Sequence, residues 1–240
     1  MPATLPHSPT AFDVCPAALL ALIGRPDAPA LVDVRLPEDV AADPHLLPTA
    51  IRHPHTALPA LRARLDGPVV VLCQKGRKLS QGTAAWLRTT GLSARVLTGG
   101  TEAWRAHPDA PRVPLASLPD PGTPWVAPRD AAPATLAAAW LVRRFLDPRA
   151  TFLFVPEPDL PEVAARFAAT PLAPFDTLRT RHALTMPALG ILAAQLSDRS
   201  LSALLSGFAL THPEPTARLA ASLPVLDALF ARARAEEARA

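Results

Sequence analysis

The first hundred residues alternate short apolar runs with segments of helical periodicity. The continuous apolar run 69–72 predicts a strand, and so do two largely apolar segments, 31–34 and 95–97. Apolar side chains three or four positions apart predict helices over 56–65 and 79–90. Shorter helical segments are predicted over 16–23 and 101–105. Strands that alternate with helices pair in parallel. The pattern therefore predicts an α/β fold over residues 1–108, with a parallel sheet flanked by helices.

A proline-rich stretch separates this pattern from the rest of the chain. Eight prolines lie between His107 and Pro133, Pro133 included, and they leave little room for helix, so residues 109–124 are predicted to form a linker. Beyond it the pattern predicts a helix, a strand, a helix and a helical tail broken near Pro213: 134–146, 152–155, 160–167 and 186–235. Residues 125–240 are therefore predicted to form a smaller α/β domain with a helical C-terminal part.

The composition excludes several classes of protein. The chain has 240 residues, of which 49% are hydrophobic, so disorder throughout is excluded. The net charge is +3, and a division at residue 110 gives +2 and +1, so neither half has the basic excess typical of nucleic-acid binding. No apolar run reaches the roughly 18 residues of a membrane span. Neither a nucleic acid nor a membrane is expected as a partner.

The cysteine and histidine positions bear on the cellular location of the protein and on metal binding. Two cysteines, Cys15 and Cys73, cannot form a disulfide framework. Prolines interrupt the first twenty residues, so no secretion signal is expected, and we expect a cytoplasmic protein. Surface or structural roles, and no metal site, are expected for four histidines that lack paired spacing: His45, His53, His55 and His182.

The two lysines of the chain lie close together. Of the 24 basic residues 22 are Arg, and Lys75 and Lys78 both lie within five residues of Cys73. Their placement is either chance, or it indicates that a compact ammonium group is needed beside that sulfur, because Arg differs from Lys in shape and hydration.

Cys73 lies between a predicted buried strand and a predicted helix. The N–H groups at the start of a helix and the helix dipole stabilise negative charge, and three nearby cations add to this effect: Lys75, Arg77 and Lys78. Gly76 suits a loop whose amides turn inward, because glycine tolerates a positive φ. The segment predicts a cysteine thiolate in an anion-binding loop, against the alternative of a buried, inert cysteine.

Several motifs resemble the rhodanese-type sulfurtransferases. The first six residues of Cys73–Ser80 resemble the active-site loop of that family. Two flanking motifs, Asp-Val-Arg and Gly-Gly-x-x-Ala-Trp, resemble those of the family at the expected spacing: Leu31–Arg35 and Leu97–Trp104. Pro44–Ala50 is similar to a Gly-His-Ile-Pro-Gly-Ala segment, although both glycines are missing and one residue is inserted. The resemblance covers residues 12–108.

This resemblance implies sulfur transfer by double displacement. Cys73 would accept a sulfane sulfur from a thiosulfate-like anion as a persulfide and pass it to a thiol or to cyanide, without a metal or cofactor. Substrate binding is implied for the remaining loop residues: Gln74, Lys75, Gly76, Arg77 and Lys78. Asp33 and Arg35 are interpreted as supporting the loop through ion pairs. Related phosphatases and arsenate reductases have a longer loop with arginine at the position of Leu79, so the shorter loop favours sulfur.

The second half resembles the C-terminal domain of the chromate-resistance ChrB family. The resemblance rests on Trp125–Val126 and on Trp140–Pro156. The family's polar stretch between these tryptophans is Ala- and Pro-rich here, and Arg179–Thr185 replaces its His- and Cys-bearing segment, so a ligand or metal site there is expected to be degraded. Arg143 and Arg144 either bind an oxyanion or hold solvent and local carboxylates.

Two hypotheses from different classes follow. The first is a thiosulfate sulfurtransferase-like enzyme, linked to chromate or oxyanion stress. The second is a non-enzymatic oxyanion-sensing or scaffold module in chromate resistance, which would use the same loop to bind an anion. A third hypothesis, regulation by DNA binding as in some relatives of the second domain, lacks the support of a basic helix.

Overall fold

The structure, a computed structural model, describes residues 11–239. The expectation that the first twenty residues carry no secretion signal lies partly outside this range. The chain forms two compact units. Of the described residues, the first unit comprises 11–23 and Asp27–Ala110, and the second comprises Gly24–Pro26 and 111–239. Within residues 11–239 no helix is both long enough and apolar enough to cross a membrane.

The first unit combines short strands with five helices. The strands are β1 Asp13–Val14, β2 Ala30–Asp33, β3 His45–Leu46, β4 Ile51–Arg52, β5 Val69–Leu72 and β6 Ala94–Leu97. The helices are α1 Pro16–Leu20, α2 Pro37–Ala42, α3 Leu58–Arg62, α4 Lys78–Thr89 and α5 Gly100–Ala106. Five strands form a parallel sheet in the order β1-β6-β5-β2-β4, which confirms the predicted α/β fold.

The central strand β5 organises the core of this unit. Its four side chains have no exposed surface, and it pairs in parallel with β2 on one side and β6 on the other. Leu61 and Leu65 join β5 in one apolar cluster, together with Ala84 and Leu87 of α4. A strand that is covered on both faces has an unbroken run of apolar residues, which is why both ends of β5 could be predicted correctly.

Some elements of the first unit differ from the prediction. The helix predicted over 56–65 is confined to α3, because Pro59 lacks an amide hydrogen and must lie in the first turn of a helix. The strands β1, β3 and β4 were not predicted, since two residues are too few to show a period. The helix α2 was also missed, although Pro37 marks its first turn.

The second unit has a smaller sheet and more helix. Its strands are β7 Val113–Pro114, β8 Trp125–Pro128, β9 Phe152–Val155 and β10 Thr170–Pro171, of which three form a parallel sheet in the order β10-β8-β9. Its helices are α6 Pro133–Leu141, α7 Leu160–Arg166, α8 Phe175–Arg181, α9 Pro187–Leu196, α10 Arg199–Thr211 and α11 Pro215–Glu237. The last three form the helical C-terminal part that the sequence predicts.

The helix α8 was not predicted, and two of the predicted helical segments differ from the structure. The helix predicted over 134–146 changes at Val142 into a five-residue π-helix, in which Asp147 N donates to Val142 O over 2.8 Å. The helical tail has a second break besides that near Pro213. This second break lies between α9 and α10, where the Asp198 carboxylate accepts hydrogen bonds from the amides of Ser200 and Leu201 and caps the start of α10.

Candidate active site

Cys73 lies at the carboxyl end of β5, in a short loop that leads into α4. The strand ends at Leu72 and the helix begins at Lys78, so residues 73–77 form the loop. Cys73 is 6% exposed and belongs to the apolar cluster around β5. Its side chain is therefore nearly removed from solvent, while Lys75 and other residues after it reach the surface.

The first turn of α5 is hydrogen-bonded to the loop. The amides of Thr101 and Glu102 donate to the carbonyls of Cys73 and Gln74 respectively, each over 3.0 Å. Because a trans peptide plane carries its C=O and N–H on opposite sides, the N–H groups of Gln74 and Lys75 point away from α5. Within residues 11–239 no acceptor is found for four loop amides: Gln74, Lys75, Gly76 and Arg77. The loop therefore offers several backbone donors to a ligand.

Two glycines make this arrangement possible. Gly76 has φ +63° and Gly100 has φ +62°, a conformation that residues with a side chain rarely adopt. A Cβ atom at Gly76 would lie 2.8 Å from the nitrogens of Gly99 and Gly100, and one at Gly100 would lie 2.6 Å from the oxygen of Gln74. Glycine at both positions is therefore a steric requirement of the contact between the loop and α5.

Ser80 is a site residue to which the sequence analysis assigns no role. Its hydroxyl oxygen lies 3.2 Å from Cys73 Sγ and 3.1 Å from the carbonyl oxygen of Arg77, and the residue is fully buried. Ser80 is the third residue of α4, and side chains in a helix lean towards its N-terminus, here towards the loop. A hydroxyl at the third helical position after a cysteine loop is the signal that could have identified it.

The basic residues of the loop and of the first position of α4 are on the surface. Lys75, Arg77 and Lys78 are exposed, and Gln74 is half-buried. Within the described part of the chain none of the three cations forms an ion pair with a carboxylate. Their positive charge is therefore not neutralised locally and is available to attract an anion.

Asp33 and Arg35 form a buried ion pair on the neighbouring strand. Arg35 Nε lies 2.8 Å and Nη2 2.6 Å from Asp33 Oδ2, and both residues are buried. The guanidinium also donates to the carbonyls of Asp43 and His45, over 3.0 and 2.7 Å. No hydrogen bond joins this pair to residues 73–78 in the described structure. The pair thus fixes the segment around β3, and its support of the cysteine loop stays a prediction.

The position at which a phosphatase loop carries arginine is apolar. Leu79 is half-buried and packs against the cluster around β5. No guanidinium therefore comes from this position, in agreement with the interpretation of the loop as a short one.

Comparison with protein families agrees with this geometry. Residues 16–107 match the model of the rhodanese-like domain, and residues 125–233 match that of the ChrB C-terminal domain. The chain carries a rhodanese-like domain followed by a ChrB C-terminal domain. No curated protein matches the chain significantly.

Three solved structures that are similar to the chain each align with less than half of it. A rhodanese-related protein from Thermoplasma volcanium shares 22% identity, with 42% of this chain and 96% of that chain covered and a TM-score of 0.36. A rhodanese homolog from Thermus thermophilus shares 32% identity, with 38% and 98% covered and a TM-score of 0.31. A thiosulfate sulfurtransferase from Pseudomonas aeruginosa shares 26% identity, with 44% and 20% covered and a TM-score of 0.36.

The adjacent arginines of the ChrB C-terminal domain have different environments. Arg144 binds the Asp227 carboxylate through Nε and Nη2, each over 2.8 Å, and Trp140 Nε1 donates to the same carboxylate. Arg143 instead lies over the ring of Phe152, with 5.6 Å from Cζ to the ring centroid. Burial, and then the charge of Arg144, lowers the pKa of Arg143. Arg144 thus holds a local carboxylate, one of the two roles considered for this pair.

His182 and His45 each make a local contact. His182 is buried, and its Nδ1 lies 2.9 Å from the hydroxyl of Ser117, which donates to the carbonyl of Pro114. His45 Nδ1 lies 2.8 Å from an Asp43 carboxylate oxygen. Within residues 11–239 no three His, Cys, Asp or Glu side chains are grouped as a metal ion would require.

Proposed function

We propose that this protein transfers sulfane sulfur, carried as a persulfide on Cys73. The observation that carries the proposal is the environment of this cysteine. It lies at the carboxyl end of the central strand, before four loop amides for which the described chain supplies no acceptor. An anion is what such a set of backbone donors binds best. The rhodanese-like domain supplies the reaction class in which that anion is a sulfur species.

In the first half-reaction the Cys73 thiolate attacks the outer sulfur of a thiosulfate-like donor. One S–S bond forms to Cys73, the S–S bond of the donor breaks, and sulfite leaves with the bonding electron pair. The three negative charges of thiolate and thiosulfate are then shared by the persulfide and sulfite. No proton is transferred, so the site needs no separate general base.

In the second half-reaction a thiophilic acceptor attacks the outer sulfur of the persulfide. The Cys73–S bond to this sulfur breaks, and the electron pair returns to Cys73 as thiolate. With cyanide the product is thiocyanate, and with a thiolate it is a new persulfide. The enzyme is thereby restored for the next donor.

The residues that follow Cys73 have distinct roles in this proposal. Lys75, Arg77 and Lys78 attract and orient the anionic donor, while Gln74 and Gly76 provide backbone donors for the bound sulfur. The N-terminus of the twelve-residue helix α4 adds its dipole to the negative sulfur. Asp33 and Arg35 support the adjacent segment around β3 and do not contact the donor.

The ChrB C-terminal domain suggests a biological setting. From this domain and the proposed sulfur chemistry we infer a role in chromate or oxyanion stress. The acceptor of the persulfide sulfur would then be a thiol of the stressed cell, and the protein would be cytoplasmic, without a membrane or nucleic-acid partner.

A second candidate function is binding of an oxyanion by the same loop, without sulfur transfer. Unpaired amides and exposed cations bind an oxyanion regardless of whether the cysteine reacts, so a non-enzymatic sensor or scaffold would have the same geometry. Calorimetry that shows oxyanion binding without any persulfide would favour this alternative.

A mass measurement on the intact protein distinguishes the two functions. Incubation with thiosulfate is expected to add the mass of one sulfur atom to the wild type and to Cys15→Ser, but nothing to Cys73→Ser. Cys15 is the matched control, because it is the other free cysteine and is exposed. Thiocyanate formation that persists in Cys73→Ser would refute the proposal.

A further inference from the structure

We propose that Ser80 is a catalytic residue of the Cys73 site, whose hydroxyl group stabilises the Cys73 thiolate both as a nucleophile and as a leaving group. The leaving-group role rests on the proposed sulfur transfer. The stabilisation of the free thiolate does not, since it concerns the protein without substrate.

The hydroxyl of Ser80 lies between the Cys73 sulfur and the Arg77 carbonyl oxygen. Its oxygen is 3.2 Å from Cys73 Sγ and 3.1 Å from the carbonyl oxygen of Arg77. A serine hydroxyl has one proton, so it donates to only one of the two at a time. The Arg77 carbonyl also accepts from Gln81 N over 2.9 Å, so it stays hydrogen-bonded when the Ser80 hydroxyl turns away.

These contacts give the Ser80 proton two positions, set by the charge on sulfur. When Cys73 is a thiol, its S–H donates to Ser80 Oγ and the hydroxyl donates to Arg77. When Cys73 is a thiolate, the sulfur can only accept, and the hydroxyl turns to donate to it. In the persulfide the charge lies on the outer sulfur, so the hydroxyl returns to the carbonyl. A hydrogen bond to a charged acceptor is stronger than one to a neutral acceptor.

Loss of this hydroxyl has opposite effects on the two half-reactions. Without it the Cys73 thiolate is more basic, and a more basic thiolate is the stronger nucleophile once it is fully deprotonated. It is also the poorer leaving group, so transfer from the persulfide to the acceptor slows. General damage to the site would slow both steps.

Three variants test the proposal. Ser80→Ala removes the hydroxyl, and it is expected to fold because the Arg77 carbonyl keeps its bond from Gln81. Ser80→Thr restores a hydroxyl at the same atom. Thr83→Val is the matched control, since Thr83 is a buried hydroxyl residue three positions further along α4, without a hydrogen bond to Cys73 in the described structure.

The first measurement is the rate of Cys73 alkylation by iodoacetamide as a function of pH, in a Cys15→Ser background. The midpoint of the curve is expected to rise by about one pH unit in Ser80→Ala. It is expected to return towards the wild-type value in Ser80→Thr and to stay unchanged in Thr83→Val. An unchanged midpoint in Ser80→Ala would overturn the inference, whatever the fate of sulfur transfer.

The second measurement follows each half-reaction in single turnovers, at a pH above both midpoints. For Ser80→Ala we expect persulfide formation from thiosulfate to be about threefold faster, and transfer to cyanide about threefold slower, than in the wild type. Equal slowing of both steps would overturn the leaving-group role. If the wild type forms no persulfide while the midpoint still shifts, the proposed function fails and the stabilisation of the free thiolate stands.

Discussion

Gly76 and Gly100 meet backbone to backbone, so closely that neither position has room for a side chain. A Cβ atom at Gly76 would lie 2.8 Å from Gly100 N, and one at Gly100 would lie 2.5 Å from Gly76 N. Gly76 belongs to the cysteine loop and Gly100 begins α5, so two motifs separated in sequence form a single structure. The orientation of the loop amides depends on this contact.

We expect Gly100→Ala to disrupt the cysteine loop. Its φ of +62° and the contacts of the added Cβ with Gly76 and Gln74 both oppose the substitution. We expect a loss of at least about 2 kcal/mol in the free energy of unfolding, measured in urea, and loss of persulfide formation. Gly82→Ala is the control, since nothing lies within 4 Å of its added Cβ in the middle of α4. It is expected to add about 0.5–1 kcal/mol of stability. Equal stability of the two variants would contradict the steric argument.

The sequence was sufficient for the central strand and the cysteine loop, but not for everything around them. Val69–Leu72 is apolar without interruption because both faces are covered, and glycine at Gly76 marks a backbone that needs a positive φ. The two carbonyl partners of Arg35 could not be predicted, because any residue possesses a backbone carbonyl. Ser80 was missed because its contact with Cys73 depends on the register of α4.

Removal of the Arg35 guanidinium is expected to destabilise the rhodanese-like domain strongly. In Arg35→Met the buried Asp33 carboxylate loses its partner, and we expect a loss of about 3–5 kcal/mol in the free energy of unfolding. Arg105→Met is the control, because Arg105 is exposed and lies 3.9 Å from an Asp43 carboxylate oxygen. Its cost is expected to stay below about 1 kcal/mol. Urea unfolding curves compare the two, and a small loss in Arg35→Met would show that the ion pair is not the main support of this segment.

The exposed lysines are expected to act on the donor through charge. Persulfide formation from thiosulfate should slow several-fold in Lys75→Gln, and its rate should depend less on salt, because one long-range attraction is removed. Lys75→Arg keeps the charge and tests whether an ammonium group is required. Since Lys75 is exposed and has no carboxylate partner in the described structure, we expect Lys75→Arg to stay close to wild type. Stopped-flow rates over a range of sodium chloride concentrations distinguish the variants, and a loss in Lys75→Arg equal to that in Lys75→Gln would contradict a purely electrostatic role.

His182 is expected to make the ChrB C-terminal domain sensitive to acid. Burial, and then the charge of Arg181, lowers the pKa of His182 from 6.5 to about 4, so the folded domain holds this side chain neutral. Its Nε2 is buried and has no hydrogen-bond partner in the described structure, so a proton there would be an unpaired buried charge. Between pH 6.5 and 4 the unfolded chain binds this proton and the folded domain does not. The free energy of unfolding therefore falls as the pH decreases through this range, by up to about 3 kcal/mol.

His182→Asn isolates this contribution, because asparagine can keep a donor near the position of Nδ1 and towards Ser117 but does not titrate. The variant is expected to be less stable than the wild type at pH 7, where the imidazole fills its buried site, and to lose less stability on acidification. His55→Asn is the control, since His55 is half-buried in the rhodanese-like domain. Urea unfolding at pH 7, 6, 5 and 4 gives the slopes. Identical slopes in the wild type and His182→Asn would mean that protonation of His182 does not govern acid sensitivity, because the only proton that the variant cannot bind is the one on this imidazole.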